Sequence, residues 1–166
     1  METLTLVGPL DYAIKTDSIV DGEGLRVVLF AQGCRMGCKG CQNPKTWKLD
    51  GGQIFSIDEV IAYLTPKLKS PWCQGLTLSG GDPFLQDEAM TLLVKRLKEE
   101  LPHLNIWAYS GALYEELLLK STLLKELNVL VDGPFVLEKR YPLKPFRGSW
   151  NQRLIRLEKG KAISFE

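Results

Sequence analysis

Three observations predict an α/β fold built on a mainly parallel sheet. Short apolar runs with strand character alternate with stretches whose apolar residues recur at helical spacing, the order that right-handed strand–helix–strand crossovers produce. Four of the strand runs end in residues suited to holding a ligand, and parallel strands bring such ends to one rim. About four strand–helix units are detectable, too few in 166 residues to close an eight-stranded barrel, so the sheet is expected to stay open.

The elements follow in chain order. Residues 1–24 read as a short lead-in and a glycine-rich loop, since Asp21, Gly22, Glu23 and Gly24 do not suit a regular element. Leu25 to Phe30, with the run Val27-Val28-Leu29-Phe30, is the first expected core strand. Ser56 and Glu59 form a capping box, and Ile57, Val60, Ile61, Leu64 and Leu68 make one helical stripe, with Pro66 expected to bend or shorten it. Gly75 to Leu78 is a short strand leading into Ser79-Gly80-Gly81-Asp82-Pro83. A second helix carries Met90, Leu93, Val94, Leu97 and Leu101 and stops at Pro102. Asn105 to Ala108 is the next strand, Leu113 to Leu119 a helix, Ser121 the cap of a short turn, and Asn128 to Val131 a strand that leaves at Asp132. Residues 133–153 hold three prolines and few periodic signals, and read as an ordered loop. Arg153 to Leu157 and Ala162 to Phe165 read as a hairpin around Lys159-Gly160.

Composition bounds the class. One domain spanning residues 1–166 is expected, with 45% hydrophobic and 25% charged residues. No apolar run is long enough to cross a bilayer, and no secretory leader is evident. Clustered cysteines without a leader favour a reducing compartment, the cytoplasm, and a metal site over disulfides. A net charge of +1 does not indicate nucleic acid as a partner. The charge is uneven, because residues 138–161 hold eight cations against two carboxylates, a net of +6. That stretch reads first as a solvated face, with an acidic partner surface as the alternative.

The chemistry concentrates in residues 33–43, where Cys34, Cys38 and Cys41 are spaced C-x3-C-x2-C among small and polar residues. Glycine-rich cysteine loops of this kind bind metal or an iron–sulfur cluster. A structural zinc site is closed by four protein ligands, whereas a site for chemistry keeps a position open. The other strand ends offer Ser79, Gly80, Gly81 and Asp82, then Tyr109 and Ser110, then Asp132. Cys73 stands alone and reads as a free, partly buried thiol. His103, the single histidine, reads as an ordinary loop residue, and the four tryptophans as packing residues. Asp21 to Gly24 is either a plain turn or a loop lining the opening to a partner.

The cysteine spacing resembles the cluster loop of the radical S-adenosylmethionine enzymes. With Val20-Asp21-Gly22-Glu23-Gly24-Leu25-Arg26, Gln32-Gly33-Cys34 and Cys41-Gln42-Asn43-Pro44-Lys45-Thr46-Trp47, the chain is similar to the glycyl-radical-enzyme activases. The short length and Arg147-Gly148-Ser149-Trp150-Asn151-Gln152 are most similar to the branch acting on anaerobic ribonucleoside-triphosphate reductase. The resemblance implies an open, partial (βα) barrel. It implies a 4Fe-4S cluster on Cys34, Cys38 and Cys41, one iron of which is left for the amino and carboxylate groups of S-adenosylmethionine. Reductive cleavage would give methionine and a 5′-deoxyadenosyl radical, which takes hydrogen from a glycine of the partner enzyme. A flavodoxin- or ferredoxin-type donor would supply the electron, and no protein general base is needed. Gly40, Ser79, Gly80, Gly81, Asp82, Tyr109, Ser110 and Asp132 match positions that lie against S-adenosylmethionine, and Gln42 and Asn43 are expected as polar contacts next to the cluster. Two departures stand out: Glu23 where proline is usual, and Gly40 where an aromatic residue often stacks near adenine. Asn151 and Gln152 are expected to order the site or the partner interface. Two alternatives remain. One is an activase of another glycyl-radical enzyme, such as pyruvate formate-lyase. The other is a zinc-stabilised binding module closed by Cys73 or His103.

Overall fold

Strands whose side chains are apolar on both faces must be covered on both sides, and this requirement organises the molecule. In the computed structural model, which describes residues 2–34, 48 and 51–166, the elements run β1 (Thr3–Leu6), α1 (Leu10–Ala13), β2 (Ile14–Ser18), β3 (Arg26–Ala31), β4 (Gln53–Ser56), α2 (Ile57–Leu68), β5 (Gly75–Gly80), α3 (Asp87–Glu100), β6 (Ile106–Tyr109), α4 (Tyr114–Leu118), β7 (Val129–Asp132), β8 (Arg153–Glu158) and β9 (Lys161–Phe165). One sheet takes them in the order β4-β1-β3-β5-β6-β7-β8-β9, with β2 also paired to β3. β3, β5, β6 and β7 are mutually parallel. The flanking pairs are antiparallel, and the sheet does not close. The expected open α/β architecture is therefore present.

Alternation along the parallel strands sorts side chains between two layers. Leu29, Leu76, Leu78, Ile106, Ala108 and Leu130 face the helices and join Val60, Leu64, Leu93 and Leu97 in the main core. The opposite, concave face carries Trp107, Val129, Val131 and Leu154, with Tyr109 and Phe146 packed against them. The capping box forms as expected: Ser56 Oγ accepts from the Glu59 amide at 3.1 Å, and Glu59 returns to the Ser56 amide. Pro66 falls in the last turn of α2, which ends two residues later. Ser121 Oγ accepts from the Leu124 amide at 3.1 Å, one residue before the N-cap position, Thr122, of a 3-10 turn. The hairpin turns on Lys159 and Gly160, both with positive φ, as a two-residue turn of the right twist requires.

The N-terminal stretch differs from expectation. Residues 1–24 contain two strands, not an irregular lead-in, and a further strand, β4, precedes α2. β1 inserts antiparallel between β3 and β4, and its Leu4 and Leu6 are fully buried. Its sequence, Thr-Leu-Thr-Leu, alternates with period two but spans only four residues. β2 carries Lys15, Thr16 and Asp17 outward and has no apolar alternation to read.

The floor of the concave face is polar at one point. Arg26 is buried where β3 begins. Its Nε donates to Thr77 Oγ1 at 2.8 Å, and its terminal nitrogens donate to the carbonyls of Glu23, Leu76 and Asn105 at 2.9, 3.0 and 3.1 Å. The guanidinium lies 5.4 Å from the Trp107 ring centroid, and Phe146 meets that ring edge-on at 5.2 Å. Burial lowers the arginine to about 10, which leaves it charged at neutral pH. Arg26 thus ties the loop before β3 to the starts of β5 and β6. Glu23 is held as well, because its carboxylate pairs with Arg156 of β8 at 3.0 and 3.2 Å, and that pairing lowers its pKa. A side-chain tether stands where the resembling family has a rigid ring.

Arg26→Met keeps the bulk but removes four hydrogen bonds, two of them buried. It is expected to lower unfolding stability by about 2–4 kcal/mol, read from denaturant titration; a loss below about 0.5 kcal/mol would contradict the role assigned to the guanidinium.

Candidate functional site

The parallel register brings the C-terminal ends of β3 and β5 side by side, with Ala31 opposite Gly80. Beyond the strands the pairing continues: Gly81 N–H donates to the Ala31 carbonyl at 2.8 Å, and Asp82 N–H to the Gly33 carbonyl at 2.7 Å. Gly80 has φ +102°, and a Cβ there would overlap the backbone nitrogen and oxygen of Ala31. Only glycine permits this approach. Cys34, the next residue along, lines a cavity of about 560 Å³ together with Ser79, Gly80, Gly81, Tyr109 and Ser110.

The stems of the cysteine segment are anchored by side chains. The Gln32 carboxamide donates to the Lys48 carbonyl at 2.9 Å, joining the chain before Cys34 to the chain after the segment. Gln86 fixes Gln32 in turn, donating to its carbonyl at 3.3 Å while exchanging hydrogen bonds with the backbone of Thr5 at 2.8 Å each. Cys38 and Cys41, and with them Gly40, Gln42 and Asn43, lie outside the described residues.

Asp82 and Asp132 reach the same rim, but neither lines the cavity. Asp82 is buried. It accepts from the Phe84 amide at 3.0 Å on one oxygen, and from Ser110 Oγ at 2.9 Å and the Gly111 amide at 3.1 Å on the other. Burial raises its pKa, and these hydrogen bonds oppose the rise. Asp132 is fully buried and accepts from the Tyr114 amide at 2.7 Å and from the Arg153 guanidinium on both oxygens. Each carboxylate therefore stitches one strand end to the turn after the neighbouring strand. Asp82 holds Ser110, and Asp132 caps α4.

The structure adds wall residues that pattern reading missed: Ile19 and Val20 on one side, and Phe135, Lys144, Phe146 and Arg147 on the other. The second group belongs to a strap, residues 133–152, lying over the concave face. Asn151 and Gln152 order it. Asn151 Nδ2 donates to the Pro134 carbonyl at 2.8 Å. Gln152 Oε1 accepts from the Gly148 and Ser149 amides at 2.7 and 3.1 Å, while its Nε2 donates to Gly133 at 3.0 Å. One terminal nitrogen of Arg147 is buried with no hydrogen-bond partner among the described residues, and burial lowers its pKa. Tyr109 is pushed well above its usual value, by burial first and by Asp21 second, so its hydroxyl stays protonated. Asp21 also lines the cavity, which favours the lining reading of that loop over a plain turn.

Cys73 and His103 lie elsewhere. Cys73 precedes Gly75, which pairs with Arg26 at the start of β3, whereas Cys34 follows Ala31 at its end. Six paired residues of strand separate them by about 20 Å, and the Cys73 thiol donates to the Gly75 carbonyl at 3.4 Å. His103 precedes β6 at that same far edge, so neither closes a metal site on Cys34. Trp107 packs in the core as expected, but Trp72 and Trp150 are exposed.

The donor set fits a cluster-bearing site: a cysteine at a strand end, backbone brought close by glycine, and open volume beside both. Comparison with known proteins agrees. The family described as 4Fe-4S single cluster domain matches residues 20–155. The anaerobic ribonucleoside-triphosphate reductase-activating protein of Haemophilus influenzae is 39% identical over 145 residues, covering 84% of this chain and 93% of that protein. Its namesake from Enterobacteria phage T4 is 41% identical over 138 residues, covering 81% and 86%. That of Escherichia coli K12 is 39% identical over 141 residues, covering 81% and 90%. Among solved structures, QueE from Escherichia coli superposes with a TM-score of 0.52 at 14% identity, over 66% of this chain and 53% of that one, a likeness of fold.

Gly80→Ala is expected to cost about 2–4 kcal/mol of stability, because either a left-handed alanine or a displaced β3 end must be accepted. Thermal unfolding of the apo chain measures it; an unchanged midpoint would show that the two strand ends are not in contact.

Proposed function

The chain belongs to the 4Fe-4S single cluster domain family and to the anaerobic ribonucleoside-triphosphate reductase-activating proteins, and from that premise we propose that it generates a glycyl radical on anaerobic ribonucleoside-triphosphate reductase at the expense of S-adenosylmethionine. The carrying observation is the shared wall of Cys34 and the Ser79-Gly80-Gly81 strand end around one cavity. Cys34, Cys38 and Cys41 would hold the 4Fe-4S cluster, three thiolates for four irons. Bound there and reduced, it would supply the electron for reductive cleavage of S-adenosylmethionine, the source of the radical that takes hydrogen from the target glycine.

The protein's part is to bind, orient and shield. Ser79, Gly80 and Gly81 offer backbone groups to the methionine portion, since a side chain at Gly80 would force the two strands apart. Ser110, fixed by Asp82, and Tyr109, kept protonated, offer polar contacts on the next strand. Gly40, Gln42 and Asn43 complete the contacts from the cysteine loop. Asp132 acts through its ion pair with Arg153, holding the β7 end and α4 in place. Phe30, Phe135 and Phe146 give the cavity apolar walls that exclude water from a reactive species. No helix among the described residues is long and apolar enough to cross a membrane. A one-domain chain working in the reducing cytoplasm, with a flavodoxin- or ferredoxin-type donor and without nucleic acid, fits this reading.

Anaerobic reconstitution with iron and sulfide tests the ligand set. Cys34→Ala, Cys38→Ala and Cys41→Ala should each lose 5′-deoxyadenosine formation by more than about a hundredfold, while Cys73→Ala retains it. Full cleavage by Cys38→Ala, or a colourless wild-type protein holding one zinc ion, would refute the assignment.

A further inference from the structure

We propose that the outer face of the strap, residues 136–150, docks an acidic, extended segment of the partner enzyme, which presents the target glycine to the cavity; this rests on the function proposed above.

Charge supplies the first argument. The strap carries Lys139 and Arg140 on its exposed side and Lys144 and Arg147 along the cavity wall, against Glu138 alone, a net of +3, while the remainder of the chain sums to −2. None of these four cations has an ion-pair partner among the described residues. The arginines of β8 behave differently: Arg153 grips Glu115 and Asp132, and Arg156 grips Glu23 and Glu166. Of the basic residues in this stretch, the two β8 arginines are thus neutralised within the sheet, whereas the four on the strap, like Lys159 and Lys161 at the hairpin, carry no ion pair among the described residues. A carboxylate-bearing segment supplies what is missing. A polyanion as large as a nucleic acid would also meet the net negative remainder of the molecule.

Apolar exposure supplies the second. Leu143 and Trp150 are 79% and 61% exposed. Trp150 is nevertheless held in place, with the Tyr141 ring 4.6 Å away and the Lys144 ammonium 4.6 Å above it. That ammonium is itself pinned by the carbonyls of Trp150 and Gln152 at 2.8 and 3.2 Å. A pre-ordered aromatic ring costs little entropy to bury and is a common binding anchor. Placement supplies the third. Pro142, Lys144, Pro145 and Phe146 line the cavity from the strap. Across its mouth stand Ile19 and Val20, 68% and 70% exposed. A chain lying along the strap therefore arrives at the opening between two apolar lips.

The test uses the cluster-loaded full chain and the anaerobic reductase of the same organism. Lys139 and Arg140 are exposed and line no part of the cavity. The double variant Lys139→Glu/Arg140→Glu should raise the KM for the reductase about tenfold at low salt and flatten its salt dependence. Its reductase-independent cleavage of S-adenosylmethionine should stay at the wild-type rate. Trp150→Ala should raise the same KM about tenfold without altering the salt dependence. Wild-type KM and salt dependence in both variants would overturn the docking surface while leaving the proposed activity standing. A wild-type chain that forms no glycyl radical on the reductase would overturn both. Variants that lose self-association with an unchanged KM would make a second copy the occupant and end the proposal.

Discussion

The backbone of Gly80 lies against the backbone of Ala31, with no room for a methyl group between them. The parallel pairing of β3 and β5 creates this contact, and the two hydrogen bonds beyond it, from Gly81 and Asp82 to Ala31 and Gly33, extend it past the strand ends. Its consequence is positional: the turn that offers bare backbone and the segment that bears Cys34 start from one fixed point. Widening that gap by one carbon would move both.

A second layer of order comes from two buried carboxylates at strand ends. Asp82 and Asp132 are each buried at a strand end and hydrogen-bonded on both oxygens, Asp82 by Phe84, Ser110 and Gly111, Asp132 by Tyr114 and by Arg153 of β8. Buried carboxylates are tolerable only with such partners; those of Asp82 include Ser110 and Gly111 of the cavity wall, and those of Asp132 are the start of α4 and Arg153 of β8. Arg26 plays the corresponding part at the other edge of the sheet, joining strand starts. The concave face is thus fixed at both edges while its middle stays open, and the strap covers what an open sheet leaves uncovered. The unpaired cations of that strap separate two jobs within one basic stretch, with Arg153 and Arg156 serving the sheet and the strap free to serve a partner.

Much of this was legible in the residues alone. The four parallel strands announced themselves because strands covered on both faces are largely apolar, as in Val27 to Phe30. The cysteine spacing and the Gly80-Gly81 turn carried their own chemistry. β1, β2 and β4 did not, because strands of four or five residues on a sheet's flank are held by pairing more than by composition. The role of Asp132 was also hidden: its partner Arg153 lies 21 positions away, and only the β7–β8 register brings them together. Lys144 and Arg147 were visible as charge but not as cavity wall, since the strap has no periodicity from which to read an inward side.

In the proposed function, Cys34, Cys38 and Cys41 would leave one iron of a 4Fe-4S cluster available to S-adenosylmethionine beside the Gly80 turn. Electron–nuclear double resonance on the reduced, reconstituted protein with S-adenosylmethionine labelled with nitrogen-15 at the amino group measures this directly. A resolved coupling between the cluster spin and the labelled nitrogen is the result expected. An intact, reduced cluster with the ligand bound but no such coupling would contradict it.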